Sequence, residues 1–381
     1  MLAVMFWFTF GPIGSGLSDL LAAVIENGVE PAVRSALGGI GAAPWAVSLV
    51  CDGVIAGVGG VLTFLPMIAI LFLFLSILED SGYMARAAFV MDRTLRHFGL
   101  SGKAFIPLLM GFGCTVPAVM GARTMENEKD RRMTIMLVPF MSCSARLPIY
   151  GLLVSAFFPG NRALIVISLY LIGICLAILS GLILKRSIFR GEAAPFLLEL
   201  PPYRMPTVRN VGTHVWEKVK DFLSRAATLI LAMSVVLWLL QSFTLHGQYT
   251  TDVSQSLLAA LGSAIAPLFL PCGFGVWQAA VALLTGLIAK EAVVSSMSLF
   301  YGFSLTASGA TVALALGGTF TPVAAYAFLV FCALYTPCVA AIATIRREMG
   351  DIKWTLACLG WQLGMAYLAS MLVYQIGSLL F

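Results

Sequence analysis

Three cysteines lie beside prolines and glycines within apolar stretches of the chain, where they could bind a metal ion. Cys114 lies in GFGCTVPAVMG, Cys143 in VPFMSCSARLPIY and Cys338 in YTPCVAAIATIRRE. Thiol and thioether ligands favour soft or borderline transition metals, whereas carboxylates and carbonyls alone suit Mg, Ca or Mn. Three methionines are close to the first two cysteines in sequence, namely Met110, Met120 and Met141. The pattern favours a transition ion, although each thiol could also be only a small hydrophobic side chain in a helix.

Two acidic residues complete the candidate site. Glu79 ends the apolar run SILED and Glu291 lies in GLIAKEAVV, in or against apolar helices where ionisable groups are rare and usually functional. The alternative is a buried ion pair with Arg146 or Lys290 that only locks helices together. We therefore predict a metal site formed by Cys114, Cys143, Cys338, Glu79 and Glu291. The other cysteines lack this context and are predicted to be packing residues: Cys51, Cys175, Cys272, Cys332 and Cys358.

The elements that position these residues are membrane helices. Of 381 residues, 60% are hydrophobic and 11% charged, whereas a soluble domain has about 25% charged residues. Uncharged runs such as 54–78 and 163–184 reach the ~20 residues that cross a bilayer. The composition predicts an all-α polytopic membrane protein. The N-terminal run MLAVMFWFTFGPIGSGLSDL lacks the basic region of a signal peptide and is predicted to be a first membrane segment.

The uncharged runs predict long helices and shorter interrupted ones. The long helices are predicted at 2–17, 54–78, 133–158, 163–184, 222–242, 277–300 and 354–380, and broken apolar elements at 104–122, 257–270 and 321–345. The polar stretch 185–225 is rich in Lys and Arg and is therefore placed in the cytoplasm. Counting helices back from it puts both ends of 104–122 on one face, so this element should be broken or re-entrant, with the break at its glycines and Pro117.

An arrangement of these elements occurs twice in the chain. A helix with an acidic residue is followed by a broken element with a cysteine, once within 54–158 and once within 277–348. Internal repeats with discontinuous helices are typical of transporters whose site lies between the repeats. We predict a first membrane half at 1–184 that contains the first repeat, a cytoplasmic linker at 185–225, and a second membrane half at 226–381 that contains the second repeat.

Motifs of soluble enzymes and nucleotide sites are missing from the sequence. There is no GxSxG, HExxH or P-loop, and the pair Gly102–Lys103 lacks the rest of a Walker sequence. We therefore expect no enzyme activity, no nucleotide site in this chain and no nucleic-acid partner. The three histidines are predicted to lie in solvated loops without metal-ligand spacing: His97, His214 and His246.

Three motifs together, GFGCTVPAVMGARTMENEKDRRMTIM, VPFMSCSARLPIYG and LEDSGYMARAAFVMDR, resemble the ferrous iron transporter B family (FeoB). Supporting stretches are GEAAPFLLELPPYRMP, GLIAKEAVV and YTPCVAAIATIRRE. The resemblance implies a multi-pass protein of the bacterial cytoplasmic (inner) membrane that transports Fe(II) through two gate regions. The family's gate cysteines match Cys114, Cys143 and Cys338, and Glu79 and Glu291 fall in the matching gate-helix motifs. These gates are also similar to elements of concentrative nucleoside transporters.

The chain also departs from that family's pattern. Members usually begin with a cytosolic GTP-binding domain and a helical linker, which have no counterpart here, and a last membrane helix is not found before Phe381. We expect a permease region whose partners are the ferrous ion, the lipid bilayer, and a separate GTP-binding domain or a small cytosolic accessory protein. Two alternatives stay open: a nucleoside-type or other small-solute carrier, and a non-transporting truncated membrane remnant. The sequence does not decide whether the transported ion is Fe(II), Mn(II), Co(II) or Zn(II). It also leaves open the energy source and whether the chain forms homo-oligomers.

Overall fold

The computed structural model describes residues 7–9, 11–41, 43–189, 205–244, 248–250, 252–303 and 309–380. Within these ranges the chain is helical, and its only β-structure is an isolated bridge between Phe243 and Tyr249. The helices of the first part are α1 Pro12–Val24, α2 Glu30–Gly39, α3 Pro44–Ser48, α4 Ala56–Asp80, α5 Tyr83–His97, α6 Phe105–Gly111, α7 Thr115–Gly121, α8 Glu128–Leu137, α9 Leu147–Phe157 and α10 Arg162–Ser187. Those of the second part are α11 Val208–Ser242, α12 Leu257–Ile265, α13 Trp277–Ile288, α14 Ala292–Tyr301, α15 Gly309–Leu316, α16 Pro322–Leu334, α17 Val339–Met349 and α18 Ile352–Leu380.

Several helices are long and apolar enough to cross a membrane. In the described ranges seven candidate spans are found, at Trp7–Gly39, Pro44–Asp80, Glu128–Phe157, Arg162–Ser187, Val208–Ser242, Pro322–Met349 and Ile352–Leu379. A further pair, Leu257–Cys272 with Trp277–Ile288, is bent by 103° and would make eight if it is one span. The prediction of an all-α polytopic membrane protein with broken helices is confirmed.

Contacts divide the chain into two compact units. The first unit combines Met1–Ala87 with Leu198–Asp252, and the second combines Ala88–Leu197 with Val253–Phe381. In the first unit α4 packs against α1 and α11. The approach of α11 is close at Gly57, where an added Cβ would lie 2.7 Å from the Ser234 hydroxyl. Small residues at such crossings let membrane helices pack tightly.

The second unit is built around α16. Nearly all of this helix is buried, with Ala325, Phe328 and Val330 fully inaccessible. Local sequence stabilises the N-terminus of this helix. The Thr321 hydroxyl accepts a hydrogen bond from the Ala324 N–H, and Pro322 occupies the first turn. Helices α9, α10 and α18 pack around it. The exposed side of α10 presents Leu164, Ile167 and Leu171, as expected of a lipid-facing surface.

Two predicted helices are in fact broken. The prediction at 133–158 is wrong between α8 and α9, where Met141 and Cys143 have extended backbone; Pro139 removes a helical donor there. The prediction at 277–300 is wrong between α13 and α14, where Ala289 is extended at φ −145° and ψ 132°. No proline or glycine marks this second break.

Other boundaries also differ from the predictions. Helix α11 begins at Val208 rather than near 222, because no proline interrupts the amphipathic stretch before the membrane part. His214 therefore lies in a helix, not a loop, and so does His97, the last residue of α5. The N-terminal helix is predicted at 2–17, but the described helical chain continues from Pro12 through a π-helical turn to Gly39. His246 lies outside the described residues.

The element predicted at 104–122 is a helical hairpin. Helices α6 and α7 pack on each other, and each has seven residues, whereas ~20 are needed to cross a bilayer. Lys103, just before α6, bonds Glu126, just after α7, at 2.9 Å. This ion pair places the two ends of the hairpin side by side and holds the pKa of the Glu126 carboxyl below its usual value. The geometry agrees with the predicted re-entrant element.

Candidate functional site

Four helix breaks of the second unit contain most of the predicted site residues. The breaks lie between α6 and α7, α8 and α9, α13 and α14, and α16 and α17. Cys114 and Cys338 are the residues just before α7 and α17, and Cys143 precedes the short turn Ser144–Arg146 that leads into α9. Each of these cysteines has extended backbone at the start of a helical segment. The three thiols therefore occupy equivalent positions in their breaks.

The three cysteines and Glu291 lie near one another. Cys114 interacts electrostatically with Cys338, Cys143 and Glu291, and Cys338 with Cys143 and Glu291. Each of the four side chains is partly accessible rather than fully buried. The predicted thiols and Glu291 are therefore grouped, with part of their surface accessible, at the helix breaks of the second unit.

Hydrogen bonds tie the first two breaks together. The carbonyl of Gly113 accepts from the Ser144 N–H at 3.3 Å and from the Ser144 hydroxyl at 3.0 Å. Gly113 directly precedes Cys114, and Ser144 directly follows Cys143. The two thiols are thus positioned by a common backbone contact, which satisfies a carbonyl that the helix break leaves without a helical donor.

Arg146 joins the second break to the fourth. Its guanidinium is 1% exposed and donates to the carbonyls of Met141 and Pro139, each at 3.4 Å. It also donates to the carbonyl of Ala333 and, at 3.4 Å, to that of Tyr335. A cation at the C-terminal end of α16 is favoured by the helix dipole. Arg146 thereby fixes the segment before Cys143 against the segment before Cys338.

Lys290 joins the third break to the fourth. Its Nζ donates to the Thr336 carbonyl at 2.7 Å and lies 3.1 Å from the centroid of the Tyr335 ring. Neither Lys290 nor Arg146 is within 4 Å of a carboxylate in the described residues, and Glu291 is likewise without an ion pair there. The alternative of a buried ion pair between Glu291 and one of these cations is therefore wrong, because both cations bind backbone carbonyls instead.

The short helices that follow two of the breaks are also joined at their far ends. Helices α7 and α17 pack against each other. Arg123, after α7, donates from Nε to Oε1 of Glu348 at 2.7 Å, and a second bond comes from its Nη2. The Glu348 side chain is 7% exposed. The elements that begin at Cys114 and Cys338 are therefore linked along their length.

Glu79 lies in the first unit and is exposed. It ends α4, its side chain is 60% exposed, and its carboxylate pairs with Lys218 of α11 at 3.2 Å. The adjacent Asp80 lies 3.9 Å from Nδ1 of His214. Glu79 thus lies in an apolar helix, as predicted, but near its exposed end and paired with α11. The other four predicted site residues belong to the second unit.

The other cysteines differ from the three at the breaks. Four of the five predicted packing cysteines are buried, and Cys175 is exposed on α10. All eight are free thiols. In the described residues no group of three or more His, Cys, Asp or Glu side chains is close enough to hold a metal ion. In this conformation the thiols are near one another without forming a closed coordination sphere.

Sequence reasoning missed Ser144, and it missed the acceptors of Arg146 and Lys290, for which it considered only an ion pair. All three side chains bind backbone carbonyls far along the chain, so local spacing contains no signal for their partners. The polar sequence SCSAR within an apolar stretch was the available hint, since an arginine there must find several acceptors.

Two family models match the chain. The Gate model, described as nucleoside recognition, matches residues 61–157 and 223–352. A model described as ferrous iron transport protein B C terminus matches residues 166–218. The Gate match includes all four helix breaks. No solved structure matches the chain.

Curated relatives match over most of this chain. A protein named Fe(2+) transporter FeoB from Staphylococcus aureus (strain COL) is 46% identical over 376 residues, which cover 99% of this chain and 56% of the relative. A protein of that name from Methanocaldococcus jannaschii is 42% identical, over 88% of this chain and 50% of the relative. A Porphyromonas gingivalis protein named as a fusion of Fe(2+) transport protein A with FeoB is 41% identical, over 87% of this chain and 44% of the relative. The chain thus spans about half the length of the relatives it matches.

Proposed function

We propose that this chain, which belongs to the FeoB family and corresponds to the membrane part of its members, moves ferrous iron across the bacterial cytoplasmic membrane. The relatives' names give Fe(2+) as what they transport. The observation in this chain that best supports the proposal is the convergence of three partly accessible thiols and one carboxylate at helix breaks in the second unit.

The proposed path uses these groups in sequence. Fe(II) loses water at the helix breaks, binds Cys114, Cys143, Cys338 and Glu291 a few at a time, and leaves toward the cytoplasm. A transported ion must bind weakly enough at each step to leave again, which agrees with thiols that are near one another without forming a closed site. For Glu79, in the first unit, the proposal is a separate contact at which Fe(II) would displace Lys218 from the carboxylate.

The remaining length of the relatives leaves room for partners. One relative is named as a fusion with Fe(2+) transport protein A, which supports a small accessory protein as a partner of this chain. A separate GTP-binding polypeptide is the second proposed partner. In this proposal the chain itself is a permease without enzyme activity.

The direct test is Fe(II) uptake into proteoliposomes that contain this chain, under anaerobic conditions. We expect uptake by the wild type and a loss of at least about tenfold in the Cys114→Ala, Cys143→Ala double variant, since even indirect changes at metal sites commonly cost 10–100-fold. Cys175→Ala removes an exposed thiol of α10 and is the matched control. Equal uptake by the double variant and this control would contradict the thiol path.

A nucleoside-type carrier is the second candidate, because the Gate model is described as nucleoside recognition. A nucleoside site needs several free hydrogen-bonding side chains. Around the third break Thr285 and Ser296 bond each other at 2.9 Å, and the break residues present thiols and a carboxylate. We therefore expect a millimolar nucleoside mixture to leave Fe(II) uptake unchanged, and labelled uridine not to enter the vesicles.

A further inference from the structure

Several backbone oxygens at the helix breaks already accept hydrogen bonds from the protein. The carbonyls of Cys114, Cys143 and Cys338 accept N–H groups of the following turn, from Ala118, Arg146 and Ile342 respectively. The carbonyl of Glu291 accepts from Val294 and Ser295, and that of Gly113 from Ser144. Carbonyls at the unwound parts of transporter helices are the usual ligands of hard cations such as Na⁺. Here they have other partners.

Arg146 occupies four further carbonyls, and its charge distinguishes it from the neutral donors. It binds oxygens of two helix breaks, from Pro139 and Met141 in the second and from Ala333 and Tyr335 at the end of α16 in the fourth. Its guanidinium is always protonated and is 1% exposed, with no carboxylate within 4 Å in the described residues. A carbonyl that already binds a buried cation is a weaker ligand for a second one, because the two positive charges repel each other at short range.

We propose that Arg146 determines the ion specificity of this path: by binding four carbonyls at two helix breaks it withholds these neutral oxygen ligands from hard cations, so that the ion is bound by the thiols with Glu291. The inference rests on the proposed function. Mg²⁺ and Ca²⁺ require oxygen ligands, whereas thiols select transition ions. Arg146 thus acts on specificity through the carbonyls and does not touch the ion.

The test is competition between ions. Uptake of Fe(II) is measured in the presence of Ca²⁺ or Mn²⁺ for the wild type, Arg146→Met and Arg146→Lys. Methionine has a similar length and removes both the charge and the hydrogen-bond donors. Lysine keeps a charge but lacks the planar fork that reaches several carbonyls. Arg93→Met, which removes an exposed arginine of α5, is the matched control.

We expect Ca²⁺ and Mn²⁺ to compete about tenfold better in Arg146→Met than in the wild type, the size of effect that one hydrogen bond to a charged group commonly has. The half-competing concentrations for Arg146→Lys should lie between those for Arg146→Met and the wild type. Those for Arg93→Met should equal the wild-type values. A half-competing Ca²⁺ concentration that is unchanged in folded Arg146→Met would overturn the inference. If neither Arg146 variant folds, the wild type decides, because competition by Ca²⁺ at concentrations near that of Fe(II) also contradicts it. A wild type that takes up no Fe(II) would instead refute the proposed function.

Discussion

At the scale of single residues, position in the helix separates cysteines that do different things. Cys332 and Cys338 are close in sequence, yet Cys332 is fully buried inside α16 and Cys338 keeps accessible surface just before α17. The helix break between them leaves the second thiol partly accessible. The sequence motif YTPC predicted this break, because a proline before a cysteine indicates one.

The pair also gives a matched test of the thiol path. Cys338→Ala removes a proposed direct ligand and should raise the Fe(II) concentration for half-maximal uptake by at least about tenfold. Even mutation of a residue that only contacts a metal ligand commonly lowers metal affinity by that factor. Cys332→Ala should lower thermal stability and leave this concentration unchanged, because it only leaves a small cavity. Uptake curves and melting curves in detergent measure both effects. Identical uptake curves for the two variants would contradict a ligand role of Cys338.

A thiol path also predicts a pH dependence. Thiols must lose their protons to bind a metal ion, so protons compete with Fe(II) and affinity rises with pH. Between about pH 6 and pH 8, below the usual pKa of a thiol near 8.5, the half-saturating Fe(II) concentration should fall by up to about tenfold per unit for each proton released. Cys114→Ser should flatten this slope. A half-saturating concentration that is independent of pH in the wild type would argue against thiolate ligands.

At the scale of elements, some helix breaks can be predicted from the sequence and others cannot. The break at Cys114 has two flanking glycines and Pro117, and the break at Cys338 has Pro337, so both were predicted. The break at Ala289 has no local signal. Lys290 instead finds its acceptor on Thr336, and contacts between elements that are distant in sequence decide the outcome there.

One close helix contact supports the second break. Gly173 of α10 faces the turn before Met141, and an added Cβ would lie 2.7 Å from the Phe140 carbonyl oxygen. Gly173→Ala should therefore destabilise the protein by about 1–3 kcal/mol, as overpacking usually does. Gly364→Ala on α18 has open space and should stabilise by about 0.4–1 kcal/mol through the unfolded state. Melting in detergent distinguishes the two, and equal shifts would contradict the close contact.

At the scale of the whole molecule, the division by contacts does not follow the order of the chain. The first unit combines the N-terminal part with Leu198–Asp252. Helix α11, whose membrane part is predicted to start the second membrane half, therefore packs with α4. Composition was sufficient to predict the membrane class. The two units could not be predicted, because uncharged runs define spans without defining which spans are neighbours. The two membrane halves and the linker remain predictions.

The part of its relatives that this chain matches leads to a prediction about the energy source of transport. It matches about half of their length, and its sequence has no P-loop. We expect Fe(II) to move down its gradient through this chain in proteoliposomes, with a rate that GTP on either side leaves unchanged. Uptake assays with and without GTP measure this. A rate that GTP raises in the purified chain would show that a nucleotide acts on this chain directly.

The central claim is that sulfur binds the ion at the helix breaks. Iron K-edge X-ray absorption of the chain loaded with Fe(II) under anaerobic conditions tests it most directly, because sulfur and oxygen neighbours scatter differently. We predict sulfur in the first coordination shell of the wild type and its loss in the Cys114→Ala, Cys143→Ala, Cys338→Ala triple variant. A shell of oxygen and nitrogen alone in the wild type would contradict the account.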